Sequence, residues 1–181
     1  MTSAEPTFAL RQLSNPSDAE LDALADVLDD CVEGGASVSF MHPLGHDRAL
    51  AFWQRIAQDV RAGKRALIVA EDAAGICGTV QLVLDLPENQ PHRAELVKML
   101  VHRRARRHGV AAQLMRAAES AALECGRTLL VLDTVTESIA ERLYTKLGWQ
   151  RFGVVPNYAL MPDGAPSSAT FFYKDLTSAA E

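Results

Sequence analysis

Apolar and polar residues alternate along Phe8-Ala9-Leu10-Arg11-Gln12-Leu13, which predicts a first strand. Asn15-Pro16-Ser17 breaks the alternation, and Ser17 with Glu20 has the spacing of a capping box. Leu21, Leu24, Leu28, Cys31 and Val32 then recur at helical spacing, so a helix runs to about Glu33 and stops at Gly34-Gly35. Residues 36–45 punctuate as a loop yet carry Val38, Phe40 and Met41, apolar loop residues of the kind that line clefts or tuck under helices. A second helix is expected from Asp47 to Ala62, with Leu50, Trp53, Ala57 and Val60 as its buried stripe and Gly63 closing it.

Arg65 to Glu71 reads as a strand, Asp72-Ala73-Ala74-Gly75 as a hairpin turn and Ile76 to Leu86 as the returning strand. Gly78 marks a bulge or close approach within it. A polar loop over 87–91 leads to a strand from His92 to Val101. Beyond Gly109, Val110, Leu114, Ala118, Ala121, Ala122 and Cys125 trace a helix face that Gly126 ends. Leu129 to Leu132 is continuously apolar, the mark of a strand covered on both faces, with Asp133 and Thr134 ending it. Ser138 and Glu141 repeat the capping-box spacing ahead of a short helix with Ala140, Leu143, Tyr144 and Leu147, closed by Gly148. A strand over Trp149–Val154, a turn-rich loop over Pro156–Pro166 and a last strand over Ala169–Lys174 complete the chain. The order predicts one α/β domain over 1–181, with hairpins at both ends, crossover helices in the middle, and loose tails at 1–6 and 177–181.

Composition narrows the class. A chain of 181 residues, 48% hydrophobic and 23% charged, has enough apolar content for one full core. No apolar run approaches the roughly 18 residues a spanning helix needs, and the N-terminus lacks a signal-peptide pattern. Cys31, Cys77 and Cys125 are odd in number and have no CxxC spacing, which points to three buried free thiols and a cytoplasmic protein. The five histidines show no metal-ligand spacing, so no metal is expected.

The net charge of −5 is locally reversed between His102 and His108, which hold four arginines between them. A strand, a basic turn, Gly109 and a helix start, in that order, make an anion site, because the first helical N–H groups lack intrahelical partners. A basic turn in an acidic chain suggests a phosphate-bearing small ligand and argues against nucleic acid.

Arg106-Arg107-His108-Gly109-Val110-Ala111 resembles the (Q/R)-x-x-G-x-(G/A) motif of the GNAT superfamily of acetyl-CoA-dependent N-acetyltransferases. The element order resembles that superfamily over nearly the whole chain. His108 stands where the family often has Gly or a basic residue, and Ala111 and Ala112 where it has Gly. Residues 34–41 and 93–101, Leu132-Asp133-Thr134 and Pro162-Asp163-Gly164 resemble the tabtoxin-resistance branch, which acetylates a β-lactam amino acid.

The resemblance implies a GNAT-like acyl-CoA N-acyltransferase fold. Its sheet is mixed and mostly antiparallel, of six to seven strands, with about four flanking helices. It implies acetyl-CoA as cofactor, with pyrophosphate on the N–H groups of Arg107, His108, Gly109, Val110, Ala111 and Ala112, aided by Arg106 and Arg107. Pantetheine then lies along Met99, Leu100 and Val101, where an N–H near Leu100 polarises the thioester. The acceptor is a small amine, the product is coenzyme A, and the protein is a monomer or homodimer. A non-catalytic cofactor sensor and a protein N-terminal or lysine acetyltransferase are the alternatives.

Amine acetylation needs a neutral nucleophile, and an alkyl amine of pKa about 8 to 10 must first lose a proton. Glu95 is a carboxylate among apolar strand residues, and simple alternation puts it on the face of Val97, Met99 and Val101. The resemblance favours it as general base; pairing with Arg93 or Lys98 is the structural alternative. Asp133, at the carboxyl end of its strand, is a second base or an ammonium anchor, or else caps its turn. By resemblance, Tyr144 protonates the departing thiolate; packing alone also explains it.

Overall fold

The computed structural model describes residues 7–177, so the expected tails at 1–6 and 178–181 lie outside it, while Thr177 is placed and bonds to Asp175. Seven strands form one sheet in the order β1-β2-β3-β4-β5-β7-β6: β1 Ala9–Leu13, β2 Arg65–Asp72, β3 Gly75–Val83, β4 Arg93–Val101, β5 Leu129–Val135, β6 Gln150–Leu160 and β7 Pro166–Asp175. Every neighbouring pair is antiparallel except β4 and β5. Helices α1 Asp18–Glu33 and α2 His46–Arg61 cover one face; α3 Val110–Glu124 and α4 Ile139–Lys146 cover the other. No helix among the described residues is long and apolar enough to cross a membrane.

Local signals explain the helix ends. Ser17 and Glu20 complete a reciprocal capping box, and Ser138 accepts from the Glu141 N–H. Leu24, Leu28 and Trp53 are fully buried against Leu67 and Val69 of β2, which welds α1 and α2 to the sheet. On the opposite face Ala66, Ile68, Val80, Leu82, Ala94 and Leu96 meet Leu114, Met115 and Ala118 of α3. Gly78 sits where β3, β4 and α3 converge. A Cβ there would lie 3.1 Å from the Leu100 carbonyl oxygen, 3.1 Å from Leu114 and 3.3 Å from Val110.

Several boundaries depart from expectation. β3 ends at Val83, short of Leu86. β5 does not stop at Asp133 but continues to Val135, held by seven register pairs with β7. Only alternate residues, Leu130 and Leu132, are buried in β5, so its apolar run is not covered equally on both faces. The expected loop over Pro156–Pro166 is mostly strand. β6 runs on to Leu160, absorbing Pro156 and left-handed Asn157 in a register shift between Val155 and Ala159, and the turn shrinks to 161–165. An edge strand tolerates that proline because its outer N–H needs no partner. Cys31 and Cys77 are buried as expected, but Cys125 is exposed because it is the C-cap of α3, beyond the packed stripe.

Replacing Gly78 by Ala should destabilise the fold by about 1–3 kcal/mol through overpacking, measured by denaturant unfolding. A change below about 0.5 kcal/mol, ordinary for a surface site, would contradict the close approach.

Candidate active site

The basic turn is a cradle of backbone donors. Among the described residues, the N–H groups of Arg107, His108, Gly109, Val110, Ala111 and Ala112 donate to no protein acceptor; the first bond into α3 is Gln113 N–H to Gly109 C=O. Left-handed Arg107 (φ 67°) and Gly109 (φ 77°) coil the chain so that these donors precede and open the helix. Such a nest, with the positive end of a helix behind it, is built for an anion.

The four arginines divide the labour. Arg103 donates to Asp30 and Glu33, and Arg104 to Asp72 and to the carbonyls of Gly75 and Ile76. Arg106, expected to face the ligand, instead donates through Nε to the Val101 carbonyl at 3.0 Å and lies 4.0 Å from Asp30. Its guanidinium is thus committed to holding the loop against β4 and α1. Arg107 alone is not engaged by a side-chain or backbone partner among the described residues.

Next to the cradle the sheet opens. β4 and β5 pair only at Arg93–Leu129, Ala94–Leu130 and Glu95–Val131. Beyond Glu95 the strands separate, leaving Met99, Leu100 and Val101 with β3 as their one strand neighbour. The register pairs Thr79 with Leu100, and His102 N–H donates to Cys77 C=O at 2.8 Å. Antiparallel alternation therefore points the polar backbone of Leu100 at β3 and that of Val101, with Met99, into the gap. The Val101 carbonyl indeed accepts from Arg106 rather than from β3. The N–H expected near Leu100 is thus better supplied by Met99 or Val101.

A bulge in β4 also changes which residues share a face. The register with β3 shifts between Thr79 and Gln81, and Lys98 is left-handed at φ 54°. Ala94 and Leu96 pack with α3 before the bulge; after it, Met99 and Val101 do, while Leu100 faces α1 and α2. Glu95 and Val97 therefore do not share a face with Met99 and Val101, contrary to simple alternation. Glu95 is half-exposed, and one of its oxygens accepts from both terminal nitrogens of Arg93 at 3.1 Å.

Asp133 lies across the gap, on the face opposite buried Leu130 and Leu132. Desolvation pushes its carboxyl pKa above the ordinary value, Glu95 adds to the rise, and Lys98 opposes it. Tyr144 is buried against Trp149 and Phe172, with ring centroids 6.2 and 6.0 Å away, so the packing role exists. Burial first, then the charge of Asp133, raises its hydroxyl pKa far above normal. Glu95 and Asp133 thus lie near the point where β4 and β5 part, within electrostatic reach of each other, while Tyr144 is packed in the core on the α3–α4 face and feels the charge of Asp133. Of the two sequence-expected partners of Glu95, Arg93 is the one that pairs with it, and Lys98 is turned to Ser39 and Phe52 by a bulge that no local pattern announces.

Residues 63–151 match the family described as the acetyltransferase (GNAT) domain. The match runs from the end of α2 to the start of β6 and includes the cradle, the gap and all three candidate catalytic residues. That match supports an acetyltransferase. Solved structures agree on the fold. An N-acetyltransferase from Staphylococcus aureus Mu50 is similar with a TM-score of 0.77 and 19% identity, over 94% of this chain and 99% of that one. A Salmonella typhimurium protein solved with its cofactor acetyl-CoA is similar at 0.76 and 18%, over 96% of each chain. A ribosomal-protein-alanine N-acetyltransferase from Brucella melitensis reaches 0.75 and 21%, over 93% of this chain and 99% of that one.

The Asp133 shift carries a sign that can be tested. A carboxyl with a raised folded pKa favours folding below its unfolded pKa and loses that contribution as pH rises through the folded value. Asp133→Asn should therefore melt higher than the parent at neutral pH, and the difference should close as pH falls below about 4. A variant less stable at neutral pH would contradict the raised carboxyl pKa.

Proposed function

We propose that the protein transfers the acetyl group of acetyl-CoA to the amino group of a small, amino-acid-like molecule by direct attack within a ternary complex. The observation that carries the reading is the row of free N–H groups from Arg107 to Ala112 set beside a strand edge left open by β5. A pyrophosphate suits the first, and an extended amide-bearing chain such as pantetheine suits the second. The resemblance of residues 34–41, 93–101 and 162–164 to the tabtoxin-resistance branch supports the acceptor class.

In this reading the pyrophosphate lies on the cradle with Arg107 as its side-chain contact, and the pantetheine amides bond to Met99 and Val101. The N–H of one of these also meets the thioester oxygen as charge develops on it. Asp133 receives the acceptor's ammonium group and takes its proton, directly or through water; its raised pKa brings it nearer to the amine's and suits it to the task. Glu95 has an oxygen occupied by Arg93 and supports the site as a second negative charge. The neutral nitrogen attacks the carbonyl carbon, the C–N bond forms, the C–S bond breaks with its electron pair leaving on sulfur, and the surplus proton on nitrogen passes through water to that thiolate. Tyr144 hydrogen-bonds that sulfur. Because burial makes the tyrosinate costly, its hydroxyl stabilises the developing thiolate by donating a hydrogen bond and keeps its own proton. No cysteine is needed: buried Cys77 has its pKa pushed up to about 11, unsuited to a covalent acetyl intermediate.

Thiol release at varied acetyl-CoA tests the assignment. Arg107→Ala should raise the KM for acetyl-CoA roughly tenfold, the value of a charge-assisted contact, while Arg104→Ala, which loses a tie to Asp72, should mainly lower stability. Tyr144→Phe should lower kcat by roughly 100-fold with the acetyl-CoA KM little changed. Full turnover in Tyr144→Phe would remove the hydroxyl from the mechanism. Failure of acetyl-CoA to raise the melting temperature would overturn the cofactor assignment.

A further inference from the structure

Lys98 is a half-buried cation with no ion-paired carboxylate among the described residues. Its ammonium donates to the hydroxyl of Ser39 at 2.9 Å and lies 6.0 Å from the centroid of the Phe52 ring. No carboxylate among the described residues lies within ion-pairing distance of it, although it feels the charges of Arg65 and Asp133. Arg65 is itself occupied by Asp59 and Gln81. Even partial removal of an ammonium from water has a cost that an anion or several acceptors offset. The backbone adds a second cost, because Lys98 and Ser39 are both left-handed residues other than glycine, at φ 54° and 77°. Strain of this kind persists where the surroundings impose it, and it concentrates at ligand sites.

The opposite imbalance stands across the gap. Asp133 has no side-chain donor from another residue, and Glu95 beside it adds negative charge. β4 carries Lys98 three residues past the last β4–β5 pair, and β5 carries Asp133 two residues past it, both on the face toward α1 and α2. Two unpaired charges of opposite sign therefore face one cleft without touching.

We infer that Lys98 is an acceptor-binding residue that holds a carboxylate of the substrate while Asp133 receives its ammonium group, so that the acceptor is a zwitterionic amino acid or close analogue. This rests on the acetyltransferase reading above and names its substrate class. A molecule with the complementary polarity neutralises both charges at once. A polyamine or other purely cationic amine meets Asp133 favourably but places positive charge against Lys98, which selects against it. Ser39 fixes the ammonium from the loop between α1 and α2. That loop is tied in turn to the β6–β7 turn, through Ser37 to the Leu160 carbonyl at 3.2 Å and His42 N–H to the Pro162 carbonyl at 3.0 Å. The carboxylate site is thus anchored from two sides.

Matched acceptors test the inference: phenylalanine against phenethylamine, methionine against 3-(methylthio)propylamine, lysine against cadaverine. Each is assayed by thiol release at saturating acetyl-CoA with the parent, Lys98→Met and Lys98→Arg. The parent should favour the best carboxylate-bearing member of a pair by tenfold or more in kcat/KM. Lys98→Met should bring that ratio to within about twofold through a higher KM for the amino acid, Lys98→Arg should keep most of it, and the acetyl-CoA KM should stay unchanged in both. Melting curves with and without acetyl-CoA establish that the variants fold. Turnover that ignores the carboxylate in the parent, or discrimination that survives in Lys98→Met, overturns the carboxylate site and leaves the transferase reading intact. An absence of thiol release with every amine, in a parent that binds acetyl-CoA, overturns both.

Discussion

The feature on which the site depends is the early parting of β4 from β5. Three pairs of residues hold the two strands together, and the hydrogen-bonding edge beyond them has no partner in the sheet. An unsatisfied backbone edge inside a domain is costly unless something fills it. Here the edge opens beside a helix N-terminus whose first donors are also free. Two sets of backbone groups thus wait in a line, one suited to an extended amide-bearing ligand and the other to an anion. The close approach permitted by Gly78 seats α3 against the end of β4 and keeps the two sets in register.

The bulge at Lys98 links this opening to the chemistry. It reverses the inside-outside order of β4, so that Glu95 and Lys98 face one layer while Met99 and Val101 face the other. A regular strand would place the candidate base and the cofactor edge on one face. With the bulge, the charges of Glu95 and Lys98 collect on the α1–α2 side and the open edge stays in the plane of the sheet. In the proposed reaction the nucleophile would then approach from one face a thioester held along the edge, which is the arrangement that direct attack requires.

Much of this could be read from residue order. The capping boxes at Ser17 and Ser138, the glycine stops and the basic turn ahead of Val110 rest on local chemistry, and each appears where the pattern puts it. What escaped depends on partners distant in sequence. Arg106 belongs to the motif but is claimed by Val101 and Asp30. Asp133 looked like a strand end because its polarity breaks an apolar run, yet β7 pairs with it on an open face. Pro156 looked like a break, but an edge strand accommodates it. Lys98 could not be found by periodicity, since a left-handed lysine inside a strand contradicts the local preference that periodicity uses.

Amide hydrogen exchange of the protein with and without acetyl-CoA tests the central claim most directly. Binding should slow exchange at the N–H groups of Arg107–Ala112 and at Met99 and Val101, and leave Leu100, already facing β3, nearly unchanged. Protection confined to other surfaces, with the 107–112 amides exchanging as freely as before, would contradict the account.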